Sequence, residues 1–184
     1  MEQVVRLGWS AEKVAEQYEA YTEQLAKDGY QWRECRPDDL PQVEALVRAH
    51  VTGAEEWFVD ADSSGVMVFD ADGDAVGCAV AAATRFAEEY NVTIKQLVVA
   101  PEHRGRGIGL VLLEGIDALA NFPGPVRFAG YCAAEHARFL QRAGYDVLQS
   151  GERLMAAARA WTELTPLNPA YPYPFYRDRL PTAM

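Results

Sequence analysis

The chain has 184 residues, 49% hydrophobic and 24% charged; these are the proportions of an ordinary globular domain, and no apolar run reaches the roughly 18 residues that a membrane helix needs. With 17 Lys and Arg against 27 Asp and Glu the net charge is −10, which repels phosphate backbones and argues against a nucleic-acid partner. Met1 to Arg6 lacks the apolar core of a secretory signal, and Cys35, Cys78 and Cys132 form no CxxC pair, so the expectation is a cytoplasmic protein with no membrane partner, no disulfide framework and no metal site.

Ser10 caps a helix whose apolar positions Val14, Tyr18, Tyr21 and Leu25 form one stripe ending near Gly29. Tyr30 to Arg36 reads as a strand, and Asp38 or Asp39 caps a second helix with Leu40, Val43, Leu46, Val47 and His50 on its inner face. Val66 to Phe69 and Ala75 to Thr84 read as strands joined by the Asp-Gly turn of Asp70 to Asp74. Val92 to Ala100 is a β-branched run stopped by Pro101, and a helix follows from Ile108 to about Asn121. Beyond the break at Phe122 to Pro125, Val126 to Cys132 is a strand and Ala134 to Ala143 a helix closed by Gly144. Asp146 to Gln149 and Arg153 to Ala158 then read as a hairpin around Ser150-Gly151. From Pro166 onward the chain holds five of its ten prolines, with Tyr171, Tyr173, Phe175 and Tyr176, a composition for an extended tail, docked or disordered. The division that follows is an N-terminal helical extension over 1–29, a domain over 30–159 and a proline- and aromatic-rich tail over 160–184.

The segment that carries chemistry is Leu97 to Gly109, Leu-Val-Val-Ala-Pro-Glu-His-Arg-Gly-Arg-Gly-Ile-Gly. A buried strand runs through a glycine-rich turn straight into an apolar helix. Gly105, Gly107 and Gly109 let backbone approach a ligand closely, the first-turn amides of the helix have no internal acceptors, and Arg104 and Arg106 add positive charge. These are the requirements of a pyrophosphate site. The glycine spacing is not that of a dinucleotide fold, and no Gly-Lys-Ser/Thr of a Walker loop is present. Asp60, Asp62 and Ser64 imitate the start of a calcium loop, but position twelve is Ala71 instead of a bidentate Glu, and no calcium is expected.

Arg104-Gly105-Arg106-Gly107-Ile108-Gly109 resembles the acyl-CoA-binding motif of the GNAT acetyltransferase superfamily, Arg/Gln-x-x-Gly-x-Gly/Ala, with its preceding strand and Pro101. The resemblance extends over roughly Gln31 to Ala158: Arg36 to Leu40 is similar to the family's entry into its first helix, and Phe139 to Tyr145 to its late helix. It implies an α/β (α+β) fold with a mixed, mostly antiparallel central sheet flanked by helices. It also implies acetyl-CoA as co-substrate and direct acyl transfer, in a ternary complex, to a primary amine of a small molecule or peptide.

On that reading Leu97, Val98, Val99 and Arg104, Gly105, Arg106, Gly107, Ile108, Gly109 hold the cofactor, with a backbone N–H near Val98 or Val99 polarising the thioester carbonyl. An ammonium must lose a proton and a thiolate gain one. Glu88 and Glu89 are the candidate bases acting through water, and Tyr131 and Tyr145 the candidate acids, because the position that usually supplies the family's tyrosine is Leu140. Cys132 reads as a buried thiol. Glu55, Glu56, Trp57 and Phe58 lie in a stretch, Val51 to Thr84, with no Lys or Arg, and suit an ammonium-bearing acceptor. Two rivals stand beside the enzyme: a non-catalytic acyl-CoA-binding module, and an interaction protein working through the tail. The tail's aromatics dock on their own domain or on the second subunit of a homodimer.

Overall fold

In the computed structural model the described residues are 10–51, 53, 63–156, 162–166 and 168–180. Helix α1 spans Ala11–Lys27, and the Ser10 hydroxyl accepts a hydrogen bond from the Lys13 amide at 3.3 Å as its cap. It ends in a Schellman turn, the Tyr30 amide donating to Leu25 and the Gly29 amide to Ala26, which delivers Tyr30 into the core ahead of strand β1 (Gln31–Glu34). Helix α2 is Leu40–His50. Then come β2 (Ser63–Phe69), β3 (Ala75–Phe86), β4 (Glu89–Val99), helix α3 (Ile108–Leu119), β5 (Val126–Cys132) and helix α4 (Ala134–Arg142). The short strands β6 (Asp146–Val147), β7 (Leu154–Met155) and β8 (Glu163–Leu164) precede β9 (Tyr173–Arg179). Among the described residues no helix is long and apolar enough to cross a membrane.

One sheet runs β1-β2-β3-β4-β5-β9-β6, and β7 pairs only with β8. Every pairing in the large sheet is antiparallel except β4 with β5, the mixed and mostly antiparallel arrangement expected. Residues of α1, α3 and α4, among them Leu25, Val111, Leu112 and Leu140, bury one face of the sheet with Val66, Ala81, Ile94 and Phe128. On the other face α2 supplies Val43, Leu46 and Val47 against Met67, Cys78, Val80 and Val98. The layers follow the alternation of the strands, whose successive side chains point to opposite faces.

The C-terminal strands differ from the sequence reading. Asp146 and Val147 pair with Tyr176 and Phe175 of β9, while Leu154 and Met155 turn away to Leu164 and Glu163. The partner expected in Arg153 to Ala158 is thus replaced by a segment expected in the tail beyond residue 160, and that segment lies inside the sheet between β5 and β6. The cause is the apolar content of the tail. Phe175 is buried with its ring 5.5 Å from that of Tyr145, edge to face. Arg177 donates to Glu114 at 2.7 Å and to Asp117 at 2.9 Å on α3. Pro174 is tolerated because its carbonyl accepts from Leu148 exactly one residue beyond β6, where its missing N–H ends the ladder instead of interrupting it.

Candidate active site: a split sheet beside a glycine loop

Strands β4 and β5 pair over four residues, Tyr90 with Val126 through Thr93 with Ala129. Beyond that they part. Gly130 marks the parting, since a Cβ there would lie 3.0 Å from the Ile94 carbonyl oxygen and 2.7 Å from the Phe175 ring. Opposite this point β4 is bulged: Val80 of β3 faces Gln96 and Ala81 faces Ile94, so that Lys95 is the extra residue of the bulge. The bulge reverses which backbone groups face the gap. The Ala100 amide donates to Val76 of β3 and the Val98 carbonyl lies toward Gly77 of β3, so the alternate residues Leu97 and Val99 turn their amides and carbonyls toward the opening. Arg104 Nε donates to the Val99 carbonyl at 2.9 Å, across that edge.

The strand then enters the loop. Pro101–His103 form one 3-10 turn, Gly105 and Gly107 stand at φ +77° and +89°, and Gly107 precedes the first residue of α3. Leu110 and Val111 are the first helix amides to find an internal acceptor, both on the Gly107 carbonyl. Among the described residues the amides of Gly105, Arg106, Gly107, Ile108 and Gly109 meet no backbone acceptor. A row of free donors at the positive end of a twelve-residue helix, with the exposed Arg104 and Arg106 beside it, is an anion cradle. Among the described residues nothing lies within 4 Å of the place a Cβ on Gly105 would occupy.

The proposed acid–base residues separate sharply. Glu88 and Glu89 sit at the β3–β4 turn, at the start of β4, and the eight residue steps from Glu89 to Leu97 span about 26 Å of strand. They are at the wrong end of β4 to serve a base beside the opening. Tyr145 is also unsuited: its hydroxyl is sealed in the core with no hydrogen-bond partner among the described residues, its ring lies 4.7 Å under the Arg177 guanidinium, and burial pushes its pKa well up. Sequence placed it after Gly144, but not behind β9.

Tyr131 lies where β5 leaves β4, and its hydroxyl donates to the Leu164 carbonyl at 2.5 Å. Burial, with a smaller effect of Glu163, raises its pKa, so it holds its proton at neutral pH. Val98 turns its backbone toward β3, which leaves Leu97 and Val99 as the residues whose amides face the opening. Cys132 is buried and its thiol is pushed up to about 11 by desolvation, with Glu135 adding to it, the behaviour of a packed thiol. Leu140 is buried on α4. Glu55, Glu56, Trp57 and Phe58 lie outside the described residues, as do Asp60 and Asp62.

Two features escaped the sequence reading. On the α2 face of the sheet, beside the split, a polar strip replaces apolar core: Thr93 donates to Asn91 at 2.6 Å, Asn91 donates to the Arg127 carbonyl at 3.4 Å, and Lys95 reaches over β3 to Ser63 at 3.3 Å. Asn91 is only 1% exposed. The adjacent polar pair Lys95-Gln96 was the available sign of the bulge, because it breaks strict alternation. The second is the contact of α1 with the glycine loop, taken up below.

A split parallel pair, a bulged strand and an amide cradle at the following helix define a class of CoA-dependent acyltransferase folds. Residues 62–147 match the family model described as an acetyltransferase (GNAT) domain. A streptothricin acetyltransferase of Streptomyces lavendulae is 39% identical over 89 residues, 47% of this chain and 46% of that protein. An uncharacterized N-acetyltransferase of Archaeoglobus fulgidus is 42% identical over 62 residues, 32% of this chain and 42% of that one. The chain therefore spans less than half the length of either relative. The crystal structure of nourseothricin acetyltransferase superposes with a TM-score of 0.52 at 19% identity, covering 83% of this chain and 98% of that one. Arabidopsis thaliana Naa50, in complex with the bisubstrate analogue CoA-Ac-MVNAL, gives 0.54 at 15% identity, covering 82% and 98%.

Proposed function

We propose that the protein is an acetyl-CoA-dependent N-acyltransferase that moves the acyl group directly onto a primary amine of a small molecule or peptide. The observation that carries this reading is the continuity of the cradle amides of Gly105 to Gly109 with the free strand edge at Leu97 and Val99. A pyrophosphate on the former and an acyl-bearing arm along the latter suit one extended ligand. The family supports the donor, and the relatives named for streptothricin and for a CoA–peptide analogue support an amine on either kind of acceptor.

In the proposed reaction the amine nitrogen attacks the thioester carbonyl carbon, a C–N bond forms and the C–S bond breaks. The Leu97 or Val99 amide steadies the charge that develops on the carbonyl oxygen. The amine's proton leaves through solvent, and Tyr131 is the group we assign to protonate the departing thiolate, since it stands protonated at the mouth of the split. Glu55, Glu56, Trp57 and Phe58 remain our proposed surroundings for the ammonium.

The test is a thermal-shift titration with acetyl-CoA followed by thiol release over a panel of amines. Stabilisation with release on at least one amine is expected. Stabilisation without release on any amine leaves a CoA-binding module instead, and no stabilisation overturns the assignment of the loop.

A further inference from the structure

The helix that precedes the family domain grips the glycine loop at both ends. A Cβ on Gly107 would lie 2.2 Å from Tyr21 Cγ, 2.4 Å from its Cδ1 and 2.7 Å from its Cβ. The root of the Tyr21 side chain therefore occupies the space that any other residue at 107 would fill. At the loop's other end the Tyr30 hydroxyl meets His103 Nδ1 at 2.9 Å, with the rings edge to face at 5.8 Å. Tyr30 is buried, and α1 is itself anchored on the core by Val14 and Leu25. Tyr18, one turn before Tyr21, comes close enough to Glu114 of α3 for that carboxylate, after burial, to raise its pKa.

Three residues separate His103 from Gly107, and among the described residues the loop between them has one side-chain tie of its own, Arg104 to the Val99 carbonyl. An amide cradle binds an anion well only if its donors are already aimed, because ordering a glycine-rich segment on binding costs conformational entropy. The matched family domain begins at residue 62, so nothing in it supplies Tyr21 or Tyr30.

We infer that Tyr21 and Tyr30 are positioning residues for the diphosphate half of the CoA donor: the N-terminal helix clamps the loop between His103 and Gly107 in its binding shape. This rests on the reading of the loop as the CoA site. It assigns the clamp to the nucleotide part of the donor alone, because Tyr21 and Tyr30 meet the loop at Gly107 and His103, whereas the acyl arm would run along β4.

The experiment compares acetyl-CoA with acetyl-pantetheine, which lacks the diphosphate, as donors for the same amine with the full chain. Tyr21→Leu should raise KM for acetyl-CoA at least about tenfold with kcat little changed, and leave kcat/KM for acetyl-pantetheine as in the wild type. Tyr21→Phe keeps every contacting atom and should behave as the wild type. Tyr30→Phe removes only the bond to His103 and should show the same donor-selective loss, but smaller. Equal loss with both donors means a general structural role and overturns the inference, as does an unchanged KM for acetyl-CoA in Tyr21→Leu. A loss in Tyr21→Phe as large as in Tyr21→Leu means that the hydroxyl touches the ligand, and overturns the clamp. Calorimetry of CoA on the wild type keeps the two readings apart: if CoA does not bind, the loop assignment has failed, whatever the variants do.

Discussion

Gly107 is held by two demands at once, a left-handed φ of +89° and the side chain of Tyr21 against it. Substituting it disturbs the fold before any ligand arrives, so Gly107→Ala should lower the melting temperature, by the ~1 kcal/mol or more that a non-glycine residue costs in that conformation plus the clash. A variant with unaltered melting would show that the contact is soft. Arg104 is a cleaner probe of the cradle, since it is exposed and tied only through Nε to the Val99 carbonyl. Arg104→Ala should weaken CoA binding roughly 10- to 100-fold, the worth of one charge-assisted hydrogen bond, with no loss of stability. Calorimetric affinity equal to that of the wild type would remove the arginine from the site. Tyr145 gives the opposite expectation. Its hydroxyl is buried without a partner, so Tyr145→Phe should be neutral or stabilising by up to ~1 kcal/mol, with turnover intact; a large loss of kcat at unchanged melting temperature would restore it as an acid.

Strand β9 ties the last described residues of the chain to its middle. Arg177 is 16% exposed and is shared between Glu114 and Asp117 of α3, while Arg179 also bonds Asp117. Arg177→Met strands the Glu114 carboxylate and leaves Asp117 to Arg179 alone, and should cost about 3 kcal/mol, or about 6–12 °C in melting temperature for a chain of this size. A shift below a couple of degrees would show the network to be well solvated. At the entry to α2, the Arg33 guanidinium and the Arg36 amide hold the Asp39 carboxyl down at about 2. Because an unfolded aspartate titrates near ~3.9, the stability Asp39 adds is complete above about pH 4 and drains as the pH falls toward 2. Asp39→Asn should flatten that acid limb in denaturation midpoints measured against pH; an identical limb in both proteins would assign it to other carboxylates. The helices of the fold were legible because Ser10, Gly29 and Gly144 mark their ends and the apolar stripes repeat at helical spacing. The place of β9 was not, because Tyr173 to Tyr176 is defined by distant partners, and two prolines in six residues disguise a strand.

At the scale of the whole molecule, the loop proposed to bind the donor was legible because it is local: Arg104 to Gly109 is one run of sequence whose chemistry depends on its own backbone. The placement of Glu88, Glu89 and Tyr145 was not readable, since it depends on which end of β4 faces β5 and on which tyrosine β9 covers. Charge is the property that joins these sites. With a net charge of −10, the surface attracts an ammonium and repels a polyanionic donor, except where Arg104 and Arg106 stand beside the cradle. The two substrates should therefore respond to salt to different extents. For a cationic acceptor the long-range attraction is screened beyond about 10 Å near 0.1 M salt, so its KM should rise as ionic strength increases. The donor's KM should change less, because repulsion from the bulk of the molecule and attraction to the loop are screened together. Replacing Glu55 and Glu56 by Gln removes two of the charges proposed to line the acceptor's path, and should raise the amine KM and shallow its salt dependence while leaving acetyl-CoA affinity unchanged. A neutral or anionic acceptor preferred over cationic ones, or a double variant with wild-type kinetics, would separate the acidic surface from acceptor recognition and leave the acyltransferase reading resting on the donor site alone.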